Sequence, residues 1–280
     1  MKQAISYIRQ QLAPLYPPRE IQALTYLLTE KLFGYSKLDA LIGKERRLSK
    51  QEREEWEEVV ARLQEQEPVQ YILGEAEFCG HTFKVTPATL IPRPETAELV
   101  EWIQRDHPNG HLRILDIGTG SGCIILSLAA SLPALTAQGW DISPQALDTA
   151  RENNRHMGTQ VEFKLQDILS PTLEPVMTDV IVSNPPYIMQ HEEATMEANV
   201  LQWEPHTALF VPNDDPLLFY RAIARFSLKS LTPGGCLYLE INRACGKQTC
   251  TLLSAMGYEN VELRRDLSGN DRMIKAILPQ

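Results

Sequence analysis

The sequence lacks several features that would assign it to a large class of proteins. Its five cysteines include no Cys-x-x-Cys pair, which argues against a zinc site and against a disulfide framework. Its six histidines are dispersed, so no metal site is predicted. No window approaches the roughly 20 apolar residues of a membrane span, and the N-terminus has no apolar signal-peptide core. A cytoplasmic protein with reduced thiols, no metal and no membrane contact is therefore expected.

An excess of positive charge is also missing. The formal net charge is −9, opposite in sign to the basic surface of a protein that grips a phosphate backbone. Ser121 and Ser183 lack a matching His and Asp pattern, so no serine nucleophile is predicted. The remaining composition, 43% hydrophobic and 22% charged over 280 residues, is typical of a globular protein with one full domain and a smaller one.

The first 67 residues predict a small helical domain. Apolar side chains recur at helical spacing, as at Ile21, Leu24 and Leu28. Pro17-Pro18 is expected to close a first helix, Gly34 a second, and Ser49 to cap the start of a third.

Residues 68–90 predict a β-hairpin connector between two domains. The segments Tyr71–Gly74 and Glu77–Val85 are short, rich in β-forming residues and interrupted by glycine. Prolines between positions 87 and 94 then predict a stiff, extended segment before a helix from about Glu95 to Asp106.

Residues 91–280 predict an α/β domain with a mainly parallel sheet of seven strands, because strand-length apolar runs alternate with helical patterns. The last two strands have the spacing of a hairpin. The predicted strands contain Ile114–Ile117, Ala137–Trp140, Val161–Lys164, Val180–Ser183, Gly235–Glu240, Val261–Leu263 and Met273–Ile277, with helices at Cys123–Ala130 and Pro144–Met157.

A glycine loop follows the first of these strands. The segment Asp116–Gly122 reads Asp-Ile-Gly-Thr-Gly-Ser-Gly, and such a loop lets ligand atoms approach the backbone. Asp141 is expected to end the next strand, where an acid can accept both ribose hydroxyls. Asp167 is expected to end the third, where it can accept from an adenine amino group while Ile168 packs on the ring. Together they predict an adenosine site.

A nicotinamide dinucleotide is the rival ligand, since such cofactors also use glycine turns and a ribose-binding acid. Asp116 favours S-adenosylmethionine, because its negative charge would repel a pyrophosphate but suits a cationic cofactor. The alternative for Asp116 is a local capping role. The predicted cofactor residues are Gly118, Thr119, Gly120, Ser121, Gly122, Asp141, Asp167, Ile168 and Asn184.

The fourth strand ends in an unusual tetrapeptide, Asn184-Pro185-Pro186-Tyr187. Two prolines offer carbonyl acceptors but no N–H donors. A planar NH2 group can donate one hydrogen to the Asn184 side-chain oxygen and the other to the Pro185 carbonyl, which makes these two the predicted catalytic pair. Tyr187 offers a ring to stack on the acceptor. The segment from about Gln190 to Pro212 is expected to be a flexible loop that closes over a bound peptide or covers the core.

The glycine loop, this tetrapeptide and the upstream Leu90–Thr96 segment, Leu-Ile-Pro-Arg-Pro-Glu-Thr, together resemble the peptide chain release factor glutamine methyltransferases (PrmC/HemK family). The resemblance covers nearly the whole chain. It implies a helical N-terminal substrate-recognition domain, a hairpin connector and a class I methyltransferase domain in that order.

The same resemblance implies the substrate and the roles of the motif residues. The enzyme would use S-adenosylmethionine, yield S-adenosylhomocysteine, and methylate the glutamine of the Gly-Gly-Gln motif in release factors 1 and 2, as a monomer. Asn184, Pro185, Pro186 and Tyr187 would bind the glutamine amide. Arg93 and Glu95 would shape the mouth of the pocket or serve the fold alone. One departure is Asn242, where the family often has glycine, and it leaves the local turn open.

Two other functions are compatible with parts of this pattern. The same tetrapeptide could hold an exocyclic amino group of DNA or RNA, although the near balance of charges in the first 75 residues disfavours this. A non-catalytic binding module of the same fold would lose the cofactor acids, whereas Asp141 and Asp167 are both present.

Overall fold

The computed structural model describes residues 1–109, 111–132 and 135–280, which divide into two compact units. The first unit consists of Met1–Leu73 and Ala198–Trp203, and the second of Gly74–Glu197 and Glu204–Gln280. The helices of the first unit are α1 (Lys2–Leu12), α2 (Pro18–Phe33), α3 (Lys37–Leu41), α4 (Lys50–Gln64), α5 (Val69–Leu73) and α9 (Ala198–Trp203).

Helix ends in the first unit follow from local sequence. Gly34 closes α2 in the left-handed region at φ 59°, and Ser49 caps α4 through a reciprocal capping box with Glu52, both as predicted. Trp56, on the buried face of α4, donates its ring N–H to the Ala4 carbonyl oxygen at 3.1 Å. The buried side chains of α4 belong to the core of the first unit and are Trp56, Val59, Val60 and Leu63.

Two predictions for this part of the chain were wrong. Pro17-Pro18 does not close α1, which ends at Leu12; Pro18 instead begins α2, because the first helical turn tolerates proline. Tyr71–Gly74 is not a hairpin strand. Residues up to Leu73 form α5, whose apolar positions have helical spacing and pack on the first unit's core.

The second unit begins with the predicted hairpin and contains the predicted seven-stranded sheet. Its strand order is β10-β11-β9-β6-β3-β4-β5. The pairs from β9 to β5 are parallel, and the hairpin β10-β11 joins β9 antiparallel. The strands are β1 (Glu75–Phe78), β2 (His81–Lys84), β3 (Arg113–Ile117), β4 (Thr136–Asp141), β5 (Val161–Leu165), β6 (Thr178–Ser183), β7 (Ile188–Met189), β8 (Phe210–Val211), β9 (Leu231–Glu240), β10 (Glu259–Arg265) and β11 (Asp271–Ile277).

Helices cover both faces of this sheet, so its strands are apolar on both sides. Ile114 belongs to one buried cluster while its neighbour Leu115 belongs to the other, which follows from the alternation of side chains along a strand. The helices of this unit are α6 (Pro94–Asp106), α7 (Cys123–Ser131), α8 (Pro144–Met157), α10 (His206–Leu209), α11 (Leu218–Ser230) and α12 (Gly246–Ala255).

The segment after the tetrapeptide is more regular than the predicted loop. It contains a 3-10 helix, Gln190–Thr195, followed by α9, α10 and β8, and β8 pairs with β7 in parallel. Leu209 and Val211 are buried, so apolar anchors fix this part of the chain. In the described part of the chain, no helix combines the length and apolar character of a membrane span.

Candidate functional site

The predicted site residues lie at the carboxyl edge of the sheet, in the order of its strands. Glu240 ends β9, Asn184 follows β6, Gly118 follows β3 and Asp141 ends β4. Asp167 lies two residues after the end of β5. Because these five strands are parallel neighbours, their carboxyl ends bring side chains far apart in sequence to one crevice.

A cavity of about 390 Å³ opens at this edge, a volume that suits a small-molecule ligand. All of its lining residues belong to the second unit. Two predicted residues, Gly122 and Tyr187, lie outside the lining. The predicted residues that line the cavity are Gly118, Thr119, Gly120, Ser121, Asp141, Asp167, Ile168, Asn184, Pro185 and Pro186.

The glycine loop turns its backbone donors toward β4. The N–H groups of Gly118 and Thr119 both donate to the Trp140 carbonyl oxygen, at 2.8 and 2.9 Å. The N–H of Gly120 donates to Asp141 Oδ2 at 2.8 Å. A bound pyrophosphate would need free backbone N–H donors from this loop. Because these three N–H groups already donate within the protein, the loop disfavours a dinucleotide.

Asp116 does not line the cavity. Its side chain is 0% exposed, and its Oδ2 accepts from the Thr119 hydroxyl at 2.7 Å. Burial, with a smaller contribution from the neighbouring Asp141 carboxylate, raises the pKa of Asp116 to about 7 against the opposing effect of the hydrogen bond from Thr119. Of its two predicted roles, the structure favours the local cap over direct attraction of a cationic cofactor.

The two other acids are held open to the cavity. Asp141 accepts from the backbone N–H of Gly120 and of Ser143, each at 2.8 Å, and burial raises its pKa while these bonds oppose the rise. Asp167 Oδ1 accepts from the Leu169 N–H at 2.8 Å. A carboxylate oxygen has two lone pairs, so both acids retain acceptor capacity for a ligand.

The tetrapeptide lies next to the glycine loop. A Cβ added at Gly118 would be 4.0 Å from the Asn184 carbonyl oxygen, and Asn184, Pro185 and Pro186 line the same cavity as the loop. Tyr187 points elsewhere: its hydroxyl donates to Glu240 Oε1 at 3.1 Å. Three of the four residues therefore line the cavity, and we call Asn184, Pro185 and Pro186 the accepting edge because the two prolines have no N–H to donate.

Arg93 lines the cavity and forms an ion pair with Glu204. Glu204 is 3% exposed and also accepts from the Ile91 N–H at 3.3 Å. This carboxylate therefore fixes the Leu90–Thr96 segment. Glu95, predicted beside Arg93, is not in the cavity lining.

Asn242, where a glycine was expected, has a defined role in the fold. Its Nδ2 donates to the Tyr187 carbonyl oxygen at 3.0 Å and to Glu192 Oε2 at 2.9 Å. Its Oδ1 accepts from the Ala244 N–H at 2.9 Å, which shapes the turn. The asparagine thus joins the end of β9 to the segment that follows the tetrapeptide.

Sequence reasoning missed three side chains that support the site: Thr96, Glu204 and Glu240. Glu240 could have been found by the signal that identified Asp141, an acid at the end of an apolar strand. Thr96 was noted only as part of a motif. Glu204 had no sequence signal, because its partner Arg93 is 111 positions away.

Two family models match the chain. The model described as PrmC N-terminal domain matches residues 3–74, and the model described as methyltransferase small domain matches residues 95–204. The chain is 48% identical to the release factor glutamine methyltransferase of Bacteroides thetaiotaomicron over 99% of both chains. It is 43% identical to the enzyme of the same name from Flavobacterium psychrophilum, over 95% of each.

Among solved structures, a methyltransferase from Pyrococcus furiosus is similar, with a TM-score of 0.52 at 16% identity. The match covers 71% of this chain and 89% of the other. At that identity the likeness concerns the fold alone, and the second unit has the class I methyltransferase fold that the sequence predicted.

Proposed function

The chain belongs to the release factor glutamine methyltransferase family, whose enzymes use S-adenosylmethionine, and we propose that it methylates the side-chain amide nitrogen of the glutamine in the Gly-Gly-Gln motif of release factors 1 and 2. The observation that supports this most strongly is the accepting edge of Asn184, Pro185 and Pro186 in the same cavity as the glycine loop.

The residues around the cavity fit S-adenosylmethionine. Gly118–Ser121 line the cavity, and the two glycines among them have no side chain that would hold a ligand away from the backbone. Gly122 packs closely against Leu126 of α7. Asp141 would accept from the ribose hydroxyls, and Asp167 from the adenine amino group, with Ile168 against the ring. Asn184 would border both the cofactor and the acceptor.

The acceptor amide would be held by geometry. Asn184 Oδ1 and the Pro185 carbonyl oxygen would each accept one hydrogen of the glutamine NH2, and Pro186 has no N–H to compete. An amide nitrogen is a poor nucleophile because its lone pair is delocalised, so fixing its orientation is the main contribution available to these residues. Tyr187, whose hydroxyl is engaged by Glu240, would support the tetrapeptide and not stack on the amide.

Bound S-adenosylmethionine would supply the methyl group, and the electron pair of the broken bond between carbon and sulfur would remain on sulfur while the amide nitrogen provides the pair for the new bond. The surplus proton on nitrogen then leaves to water, so Asn184 and Pro185 need not act as bases. Their task is to hold the nitrogen in line with the methyl carbon.

Radiolabelled methyl transfer onto purified release factors 1 and 2 tests this function. Wild-type enzyme is expected to label both, and a release factor with its Gly-Gly-Gln glutamine changed to alanine is expected to stay unlabelled. Labelling of the alanine variant would place the methyl group elsewhere and contradict the proposal.

Replacing Asn184 tests the acceptor site separately. Asn184→Ala removes an acceptor aimed at the nucleophile, so we expect kcat to fall about a hundredfold, the scale of losing one such polar contact. Isothermal titration with S-adenosylmethionine should show a much smaller change in affinity. Near wild-type turnover in Asn184→Ala would contradict the assignment of the accepting edge.

The same proposal includes a cytoplasmic monomer that acts on protein and not on nucleic acid, with the helical domain contributing to substrate recognition. The net charge of −9 supports a protein substrate. Adding DNA and RNA oligonucleotides to the transfer assay tests this, because label in either would favour a base-methylating enzyme.

A further inference from the structure

A chain of two hydrogen bonds, one partly buried and one buried, connects Asn184 to a carboxylate outside the cavity. Asn184 Nδ2 donates to Thr96 Oγ1 at 3.3 Å, and Thr96 Oγ1 donates to Glu240 Oε2 at 2.7 Å. Thr96 is 3% exposed and Glu240 is 1% exposed. Thr96 borders the cavity, whereas Glu240 is not in its lining. Glu240 can therefore influence the acceptor only through another residue.

The number of hydrogens on each group fixes the direction of these bonds. A threonine hydroxyl has one hydrogen, and an ionised carboxylate only accepts. Glu240 takes the Thr96 hydrogen, so the Thr96 oxygen is left to accept from Asn184. Asn184 must then present its NH2 to Thr96. Its Oδ1, which accepts no hydrogen bond from any residue that the structure describes, is left for a donor in the cavity.

Glu240 holds the tetrapeptide at both ends. Its Oε2 reaches Asn184 through Thr96, and its Oε1 accepts directly from the Tyr187 hydroxyl at 3.1 Å. Burial raises the pKa of Glu240 and Glu95 adds to the rise, while the two hydroxyl donors and the Arg272 charge lower it and favour the ionised form. β9 and β6 are parallel neighbours, which places this carboxylate beside the tetrapeptide.

We propose that Glu240 is a positioning residue: through Thr96 it orients the Asn184 carboxamide so that Oδ1, and not Nδ2, meets the NH2 group of the acceptor. A reversed carboxamide would set NH2 against NH2, and the acceptor would lose one of its two hydrogen bonds. The inference rests on the proposed function and specifies how its acceptor site is arranged.

Thr96→Val and Thr96→Ser form a matched pair for the test. Valine keeps the shape of threonine but has no hydroxyl, whereas serine keeps the hydroxyl. We expect Thr96→Val to lower kcat for release factor methylation at least about tenfold, equivalent to about 1.4 kcal/mol. The KM for release factor and the dissociation constant for S-adenosylmethionine should change little, and Thr96→Ser should restore kcat to within about threefold of wild type.

A double-mutant cycle distinguishes positioning from a general loss of packing. Glu240→Gln keeps the shape of the side chain but can offer an NH2 to Thr96, which would reverse the bonds. Its remaining oxygen can still accept from the Tyr187 hydroxyl, so the substitution acts through the Thr96 hydroxyl alone. It is therefore expected to lower kcat in the wild-type background and to have no further effect in Thr96→Val. Thermal unfolding and S-adenosylmethionine titration establish that each variant is folded.

Several outcomes would overturn the proposal. These are a Thr96→Val kcat within twofold of wild type, equal losses in Thr96→Val and Thr96→Ser, or independent effects of the two substitutions. If Thr96→Val does not fold, Glu240→Gln alone decides, since wild-type kcat in that variant contradicts positioning. An inactive wild-type enzyme would instead refute the proposed function, so the two failures are distinguishable.

Discussion

Asp116 shows what a sheet interior does to a single charged residue. The side chain is 0% exposed, and within the described structure its Oδ1 has no hydrogen-bond partner. Burial raises the pKa from its ordinary value of 3.8 to about 7. The folded protein therefore holds this proton more tightly than the unfolded chain does. The resulting stability is fully present below about pH 4 and is lost as the pH rises to about 7.

Asp116→Asn removes this titration while preserving the shape of the side chain. Between pH 5 and pH 8, we expect the free energy of unfolding of the wild type to fall by about 2–3 kcal/mol relative to the variant, from the linkage relation. Urea unfolding at both pH values measures the difference. Any constant effect of the new amide cancels in this comparison, so an unchanged difference would contradict the raised pKa.

The sequence was informative about residues whose position follows from strand order. Asp141 and Asn184 could be placed at one edge because each follows an apolar strand of a parallel sheet. The direction of Tyr187 could not be predicted, since it depends on Glu240, 53 positions later in the chain. Contacts of this kind are set by packing, and no local pattern reports them.

Gly122 joins the glycine loop to α7. Its φ is 81°, and an added Cβ would lie 2.8 Å from Leu126 Cδ1. Leu126 is fully buried, so it cannot move without disturbing its neighbours. In Gly122→Ala we therefore expect the free energy of unfolding to fall by about 1–2 kcal/mol because alanine disfavours the left-handed backbone. Overpacking against Leu126 should lower it by about 1–3 kcal/mol more.

Gly158→Ala is the matched control for this substitution. Gly158 ends α8 with a φ of 67°, but nothing lies within 4 Å of an added Cβ. It should show the backbone effect alone. Chemical denaturation of both variants measures the difference, and equal destabilisation would mean that the contact with Leu126 is relieved without cost.

A helix could be predicted with its bounds where a long run of helical spacing had a clear start and stop signal at its two ends. The helix Pro144–Met157 has the bounds that its sequence predicted, because proline begins it and Gly158 ends it. Short apolar runs were not predictable: Tyr71–Leu73 fits a strand as well as a helical turn, and contact with the first unit's core decides between them. The segment 190–212 was mistaken for a loop because its helices are only four to six residues long.

The order of the two parts of the chain could be predicted from the sequence, but the boundary between them only approximately. The sequence predicted a change at Pro68, whereas the first unit extends to Leu73 and includes Ala198–Trp203. The latter could not be inferred, because these residues lie within the sequence of the methyltransferase domain. Trp203, for example, donates to the Glu65 carbonyl oxygen at 3.2 Å.

The first unit offers a test of its proposed part in substrate recognition. Leu38, Leu41 and Ile42, in and just after α3, are 66%, 70% and 68% exposed, and clustered exposed apolar side chains are typical of protein-binding surfaces. A charge introduced there would be buried without a partner on binding. We expect Leu41→Glu to raise the KM for intact release factor about tenfold, equivalent to about 1.4 kcal/mol.

Turnover at saturation and S-adenosylmethionine affinity should stay at wild-type values in Leu41→Glu, because the residues that line the cavity belong to the second unit. Leu267→Glu is the control, since Leu267 is 94% exposed in the second unit. A short peptide carrying Gly-Gly-Gln should be methylated equally by both variants. If Leu41→Glu and Leu267→Glu have the same KM for intact release factor, the surface around α3 takes no part in recognition.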